Sequence, residues 1–116
     1  MDIRKFIKSF DYAIQGIITA MREQNFRFHL LSAVIVIIAG LFTGLSIMEW
    51  IVIILVITLV IGAEMLNTAI ERVVDLVSPD YHPLAKQAKD IAAASVLVFA
   101  ACSVIIGVLI FLPKWV

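Results

Sequence analysis

The apolar residues of this chain fall into two distinct patterns. Between residues 3 and 21, Ile3, Phe6, Ile7, Phe10, Ile14, Ile17, Ile18 and Met21 recur at steps of three and four, with Arg4, Lys5, Lys8, Asp11 and Gln15 between them. That spacing predicts an amphipathic helix, and its charges exclude a spanning role. Further on, the apolar positions become continuous. Leu30 to Met48, Trp50 to Ala63 and Ile91 to Leu112 are broken only by small residues and hydroxyls. The first and third match the roughly 20 residues needed to cross a ~30 Å hydrocarbon core. The second run, residues 50–63, rises only about 21 Å as a helix, so it brings its first polar groups to the far edge of the membrane.

Composition agrees. Of 116 residues, 63% are hydrophobic and 16% charged, against roughly 45–50% apolar in a soluble domain. A soluble protein of this size could not cover so much apolar surface, so a bilayer is part of its solvent. The length suits one domain, residues 1–116. The expected fold is therefore all-α and membrane-integral, with three transmembrane helices and an N-terminal amphipathic helix lying at the interface. A net charge of zero argues against a nucleic-acid partner. The lone Cys102 cannot form an intrachain disulfide and reads as a small hydrophobe. A cleaved signal peptide is not expected, since the N-terminal segment has no continuous apolar centre or small-residue cleavage site.

The cations set an orientation. Arg4, Lys5, Lys8, Arg22 and Arg27 precede the first run, and Arg72, Lys86 and Lys89 cluster around the connection between the second and third. The link TGLSIME has none, and the C-terminus has only Lys114. The positive-inside rule then places the N-terminus and the second connection in the cytoplasm. SPDYHP, residues 78–83, marks a turn, with Pro83 suited to open the third helix.

The chemistry is concentrated in EMLNTAIERVVD, residues 64–75, which follows the second run directly. At about 100° per residue, Glu64, Glu71 and Asp75 fall within a ~40° arc, with Thr68 beside them and Asn67 some 60° away. These groups could be only the solvated end of a helix, and for Asp75 that reading stands beside the functional one. Carboxylates at the edge of hydrocarbon are usually functional. Aligned on one face they can hold a hard divalent cation with phosphate oxygens, take a proton from a hydroxyl, or line a cation path. Glu23, just before the first run, and Lys89-Asp90, just before the third, belong to the same depth. Carboxylates plus a lysine from three segments favour a phosphate-and-metal site over a pore. No GxxxxGK[ST] loop or protein-kinase motif set is present, so a kinase here would use another scaffold.

EMLNTAIERVVDL followed by HPLAKQAKD, with NFRFHL before the first run, resembles the prokaryotic diacylglycerol kinase family of small membrane enzymes. The resemblance covers essentially the whole chain. It implies a homotrimer in a bacterial cell membrane, phosphorylating a lipid alcohol from cytoplasmic ATP and magnesium. Carried over by position, Glu64 would be the general base, and Asn67 would orient the reacting groups. Glu23 and Glu71 would hold the metal bridging the ATP phosphates. Lys89 would neutralise phosphate charge with Asp90 beside it, and Asp75 would share the nucleotide site. Asp80, Tyr81 and His82 would lie near the nucleotide, as would Tyr12 and Lys5. Within the family, a Gram-negative branch acts on diacylglycerol and a Gram-positive branch mainly on undecaprenol. NFRFHL, the Glu49-Trp50 pair, and HPLAKQAKD running into Ala92, Ala93 and Ala94 resemble the second branch, with Ala93 at the lipid.

Three alternatives remain open at this level. One is diacylglycerol as the acceptor. Another is a small cation or drug transporter subunit, although such a carrier wants its carboxylate near the bilayer midplane. The third is a non-catalytic assembly subunit, which would use Ala92 to Ser95 for helix packing and leave the acidic stripe unexplained.

Overall fold

The computed structural model describes all 116 residues and contains four helices: α1 (Ile3–Ala20), α2 (Gln24–Thr43), α3 (Ile47–Val77) and α4 (Pro83–Trp115). α1, α3 and α4 each begin where a side chain supplies a partner for their free N–H groups, whereas Glu23 at the start of α2 makes no such bond. The Asp2 carboxylate accepts from the Arg4 and Lys5 amides and opens α1. Ser46 and Glu49 cap α3 reciprocally, Ser46 Oγ accepting from the Glu49 amide and the Glu49 carboxylate accepting from the Ser46 amide. His82 Nδ1 accepts from the Leu84 amide, with Pro83 as the first residue of α4. The proline therefore opens the third long helix as the sequence predicts.

The first apolar helix ends earlier than its apolar run. α2 stops at Thr43, because Gly44 takes a left-handed conformation (φ 77°) and its amide bonds back to the Gly40 carbonyl. Leu45 and Ser46 complete a tight connection, so Ile47 and Met48 belong to α3 rather than to the first span. Hydropathy alone runs across this corner because Leu45, Ile47 and Met48 are all apolar. The backbone requirement at Gly44 decides it.

α2, α3 and α4 are each long and apolar enough to cross a membrane. The 31 residues of α3 and 33 of α4 are ~46 and ~50 Å long, well beyond a ~30 Å hydrocarbon core. Both helices therefore project past the bilayer, and the runs 50–63 and 91–112 mark the crossing parts. Glu49 and Lys89 fall outside those parts. α3 packs mainly along α4 and also against α2, while α1 touches α3.

Only 13 residues are buried within the single chain. Leu31, Ile35, Leu55, Leu97, Val104 and Leu109 are among many large apolar side chains left exposed. In a bilayer this is the expected inside-out economy, since lipid is as apolar as they are. The hairpin between α2 and α3 is held where Gly40 admits the Trp50 ring, for a Cβ there would stand 2.7 Å from Trp50 Cη2. At the same end, Trp115 Nε1 donates to Thr43 Oγ1 at 2.9 Å, and Lys114 Nζ lies 3.1 Å from Glu49 Oε1. These contacts tie α4 to both arms of the hairpin and fix the relative heights of all three helices.

Candidate active site at the membrane boundary

The opposite end of the bundle gathers the polar residues. Because α3 remains helical from Ile47 to Val77, the residues after the apolar run keep their helical register and present one stripe. Glu64, Asn67 and Thr68 are buried, Glu71 is half-buried and Asp75 exposed. The stripe thus grades from dry to wet along about 16 Å of helix. Thr68 Oγ1 donates to the Glu64 backbone carbonyl at 3.1 Å, which satisfies the hydroxyl and leaves the Glu64 carboxylate free.

Asn67 Nδ2 donates to Glu71 Oε1 at 3.2 Å. Since that carboxylate can only accept, the amide orientation follows, and Asn67 Oδ1 points the other way. Buried there, it has no hydrogen-bond partner. An orphaned buried acceptor is rare in native proteins and marks a position where a ligand group or water belongs.

The remaining acidic and basic residues form cross-links between helices. Glu23, at the start of α2, pairs with Arg72 on α3 at 2.9 Å. Lys89 on α4 reaches Asp75 on α3 at 2.7 Å. The Asp75 carboxylate hydrogen-bonded to it holds the Lys89 ammonium above its ordinary pKa, with Glu71 adding in the same sense. Asp90 pairs with Lys86 one turn earlier at 2.6 Å.

Glu64, Asn67, Glu71, Asp75 and Lys89 are therefore brought to one end of the α3–α4 pair, as their spacing predicts. Glu23 arrives there through Arg72, the neighbour of Glu71. No three potential ligands gather closely enough to enclose a metal by themselves. The carboxylates of Glu71 and Glu23 and the free Asn67 carbonyl are nonetheless hard oxygen donors. They fit magnesium, which takes one or two carboxylates and completes its shell with waters and phosphate oxygens.

Other expected site residues stand apart from this cluster. His82 serves as the N-cap of α4, and the Asp80 backbone carbonyl accepts from Ser78 Oγ. Tyr81, Tyr12 and Lys5 are exposed, and their side chains form no hydrogen bond or ion pair within the chain. Ala93 is exposed on α4 and does not line the main cavity of the bundle, whereas Ala92 is buried. That cavity, an open groove of about 590 Å³, lies between α2, α3 and α4 and is bordered by Phe28, His29 and Ser32 towards one end and Trp115 at the other.

Sequence reasoning missed His29. Its Nε2 lies 3.5 Å from Glu64 Oε2. A signal was present: His29 begins the first span and Glu64 ends the second, and two antiparallel neighbours place those ends at one depth.

Three membrane-length helices, one of them carrying a graded stripe of carboxylate, amide and carboxylate past its apolar run, define a membrane-integral protein with a polar cluster at one end of the bundle. Residues 11–111 match the prokaryotic diacylglycerol kinase family. The undecaprenol kinase of Bacillus subtilis (strain 168) is 53% identical over 114 residues, spanning 97% of this chain and 93% of the relative. The diacylglycerol kinase of Haemophilus influenzae is 38% identical, over 90% of this chain and 92% of the relative. That of Synechocystis is 46% identical over 90% of this chain, which spans only 61% of that longer protein. The chain belongs to the prokaryotic diacylglycerol kinase family and is a membrane-integral lipid kinase.

Proposed function

We propose that this enzyme transfers the γ-phosphate of ATP to the hydroxyl of undecaprenol, giving undecaprenyl phosphate at the cytoplasmic edge of a bacterial cell membrane. The observation that carries this reading is the position of Glu64: a buried carboxylate at the end of a membrane-crossing apolar run, with progressively wetter polar groups beyond it. A lipid hydroxyl arrives from the hydrocarbon side and ATP from the aqueous side, and only such a boundary serves both.

In this reading Glu64 takes the proton from the lipid hydroxyl as its oxygen attacks phosphorus. Asn67, midway between Glu64 and Glu71, turns its unpaired Oδ1 toward the reacting groups. Glu71 and Glu23 would hold magnesium, which would supply positive charge against the transferring phosphates. Glu23 must then exchange Arg72 for that role, freeing a guanidinium for phosphate. Lys89, tethered by Asp75, offers a fixed ammonium, with Asp90 restrained beside it by Lys86. Asp80, Tyr81, His82, Tyr12 and Lys5 border the nucleotide from the connecting turn and from α1. α1 lies on the membrane surface, and the N-terminus faces the cytoplasm with the cations around it. A homotrimer covers part of the apolar surface that one chain leaves exposed. Undecaprenol is preferred over diacylglycerol because the relative matched along nearly its whole length at 53% identity carries that activity.

The test is a competition assay. Purified protein in bicelles receives ATP, magnesium, and undecaprenol and diacylglycerol at equal mole fraction, and both phosphorylated products are measured. Undecaprenyl phosphate should dominate. Dominant phosphatidic acid would reassign the acceptor, and no product from either lipid would defeat the proposed reaction.

A further inference from the structure

Glu64 has a neighbour that the mechanism above leaves unused. His29 of α2 places Nε2 3.5 Å from Glu64 Oε2, with the two side chains only 17% and 5% exposed. No other basic side chain lies within ion-pair distance of Glu64. The Thr68 hydroxyl, the nearest candidate donor on α3, is spent on the backbone. His29 also borders the apolar groove between α2, α3 and α4. It therefore stands between the carboxylate and the space through which a lipid hydroxyl would approach.

We propose that His29 is the positioning residue for Glu64, its neutral imidazole donating the Nε2 proton to Glu64 Oε2 and leaving Oε1 to receive the substrate. This rests on the reading of Glu64 as base. The lipid O–H bond breaks and its proton passes to Oε1. The electron pair of that bond forms the new O–P bond, and the P–O bond to ADP breaks with its pair remaining on ADP. His29 keeps its proton throughout.

A carboxylate can present either oxygen along several directions and swings about its terminal torsion, which is broad. A donor fixed on a second helix removes that freedom, as the orienting member of a catalytic triad does for its base. At 3.5 Å the contact is longer than a formed hydrogen bond. Such contacts in substrate-free sites shorten when the reacting group is in place. The same donor compensates the buried carboxylate for the water it has lost.

The decisive measurement is a double-mutant cycle on the assembled enzyme in bicelles, reading kcat and both KM values. His29→Leu should lower kcat by about 10-fold or more while leaving KM for ATP and lipid within about threefold. In a Glu64→Gln background the same substitution should have no further effect, since the group it positions is gone. His29→Gln, which restores an N–H donor of similar reach, should recover most of kcat. If His29→Leu does not assemble, His29→Gln is compared with His29→Asn, which is one carbon shorter and should fall well below it. Equal losses from His29→Leu in both backgrounds, unchanged kcat, or matching activities for the Gln and Asn variants would overturn the proposal while leaving Glu64 as base. Full activity in Glu64→Gln alone would instead remove the base reading and this proposal with it.

Discussion

Lys89 and Asp75 join α4 to α3 through a 2.7 Å ion pair across the turn that connects the two helices. The lysine is only partly exposed, its carboxylate partner more so. With a single flexible ammonium otherwise free to sample solvent, this tether decides where positive charge stands before nucleotide arrives. Asp75→Asn should therefore raise the ATP KM, by at most about fivefold because exposed pairs are worth little, with kcat nearly unchanged. Lys89→Met should lose far more of kcat/KM. Steady-state kinetics of the two variants side by side tests the distinction, and equal effects would show that the aspartate contacts the nucleotide itself.

Glu64→Gln should lower kcat by roughly 10²-fold or more while nucleotide affinity stays within a few fold. The glutamine keeps the shape and the contact with α2 but cannot take a proton. Nucleotide binding and turnover measured on one preparation separate the two effects. Near wild-type turnover would mean that the proton leaves by another route.

Glu71→Gln should weaken the magnesium dependence of nucleotide binding without disturbing insertion of the three long helices. The amide that replaces the carboxylate is a poorer ligand for a hard cation, and it also alters the hydrogen bond from Asn67. A magnesium titration of ATP binding measures this, with at least about a tenfold shift expected. An unchanged titration would take Glu71 out of the metal site.

The far end of the bundle should respond to acid. The backbone amide of Ser46, reinforced by the Lys114 ammonium, holds the Glu49 carboxyl below its usual value of 4.5. A group whose folded pKa is depressed adds stability above its unfolded pKa and loses it as the pH falls through the lower, folded value. Thermal stability should thus be level from neutral pH to about 5 on this account and decline below 4.5. Glu49→Gln should show less of that decline. Identical acid profiles for both proteins would show that the pair is energetically silent.

Gly40→Val should disturb the same end for a steric reason. The Trp50 ring occupies the place of its side chain, and overpacking of this kind costs about 1–3 kcal/mol. A lower unfolding temperature in detergent is expected. Turnover should fall too, because the hairpin that Gly40 closes also sets His29 against Glu64. Wild-type stability would mean that Trp50 can swing out into lipid freely.

Most of this architecture was readable from residues alone. Apolar run lengths foretold the three long helices, and the 3.6-residue period foretold the stripe, because a helix that does not break transmits spacing directly into geometry. The misplaced end of the first span came from a different source: hydropathy is blind to the backbone torsion that Gly44 adopts. The capping role of His82 was not legible either, since an N-cap and a nucleotide contact ask the same residue type of a turn. The pairing of Glu23 with Arg72 spans 49 positions, and no local pattern carries information over that distance. His29 was hidden for a simpler reason. A histidine next to an apolar run gains meaning only when the height of its neighbour is known.

With Glu64 as the proposed base, its placement after the apolar run also changes what substrate concentration means for this enzyme. A long-chain alcohol whose hydroxyl meets its base at that depth never leaves the bilayer, where each methylene drawn into water would cost about 0.8 kcal/mol. Encounter is thus a search in two dimensions, governed by lateral diffusion and by the fraction of the surface that the alcohol occupies. Diluting such a membrane with inert phospholipid should slow phosphorylation at fixed bulk amounts of every reactant, as though a soluble enzyme's substrate had been diluted with buffer. The flask could be halved in volume with no effect at all on that half of the reaction.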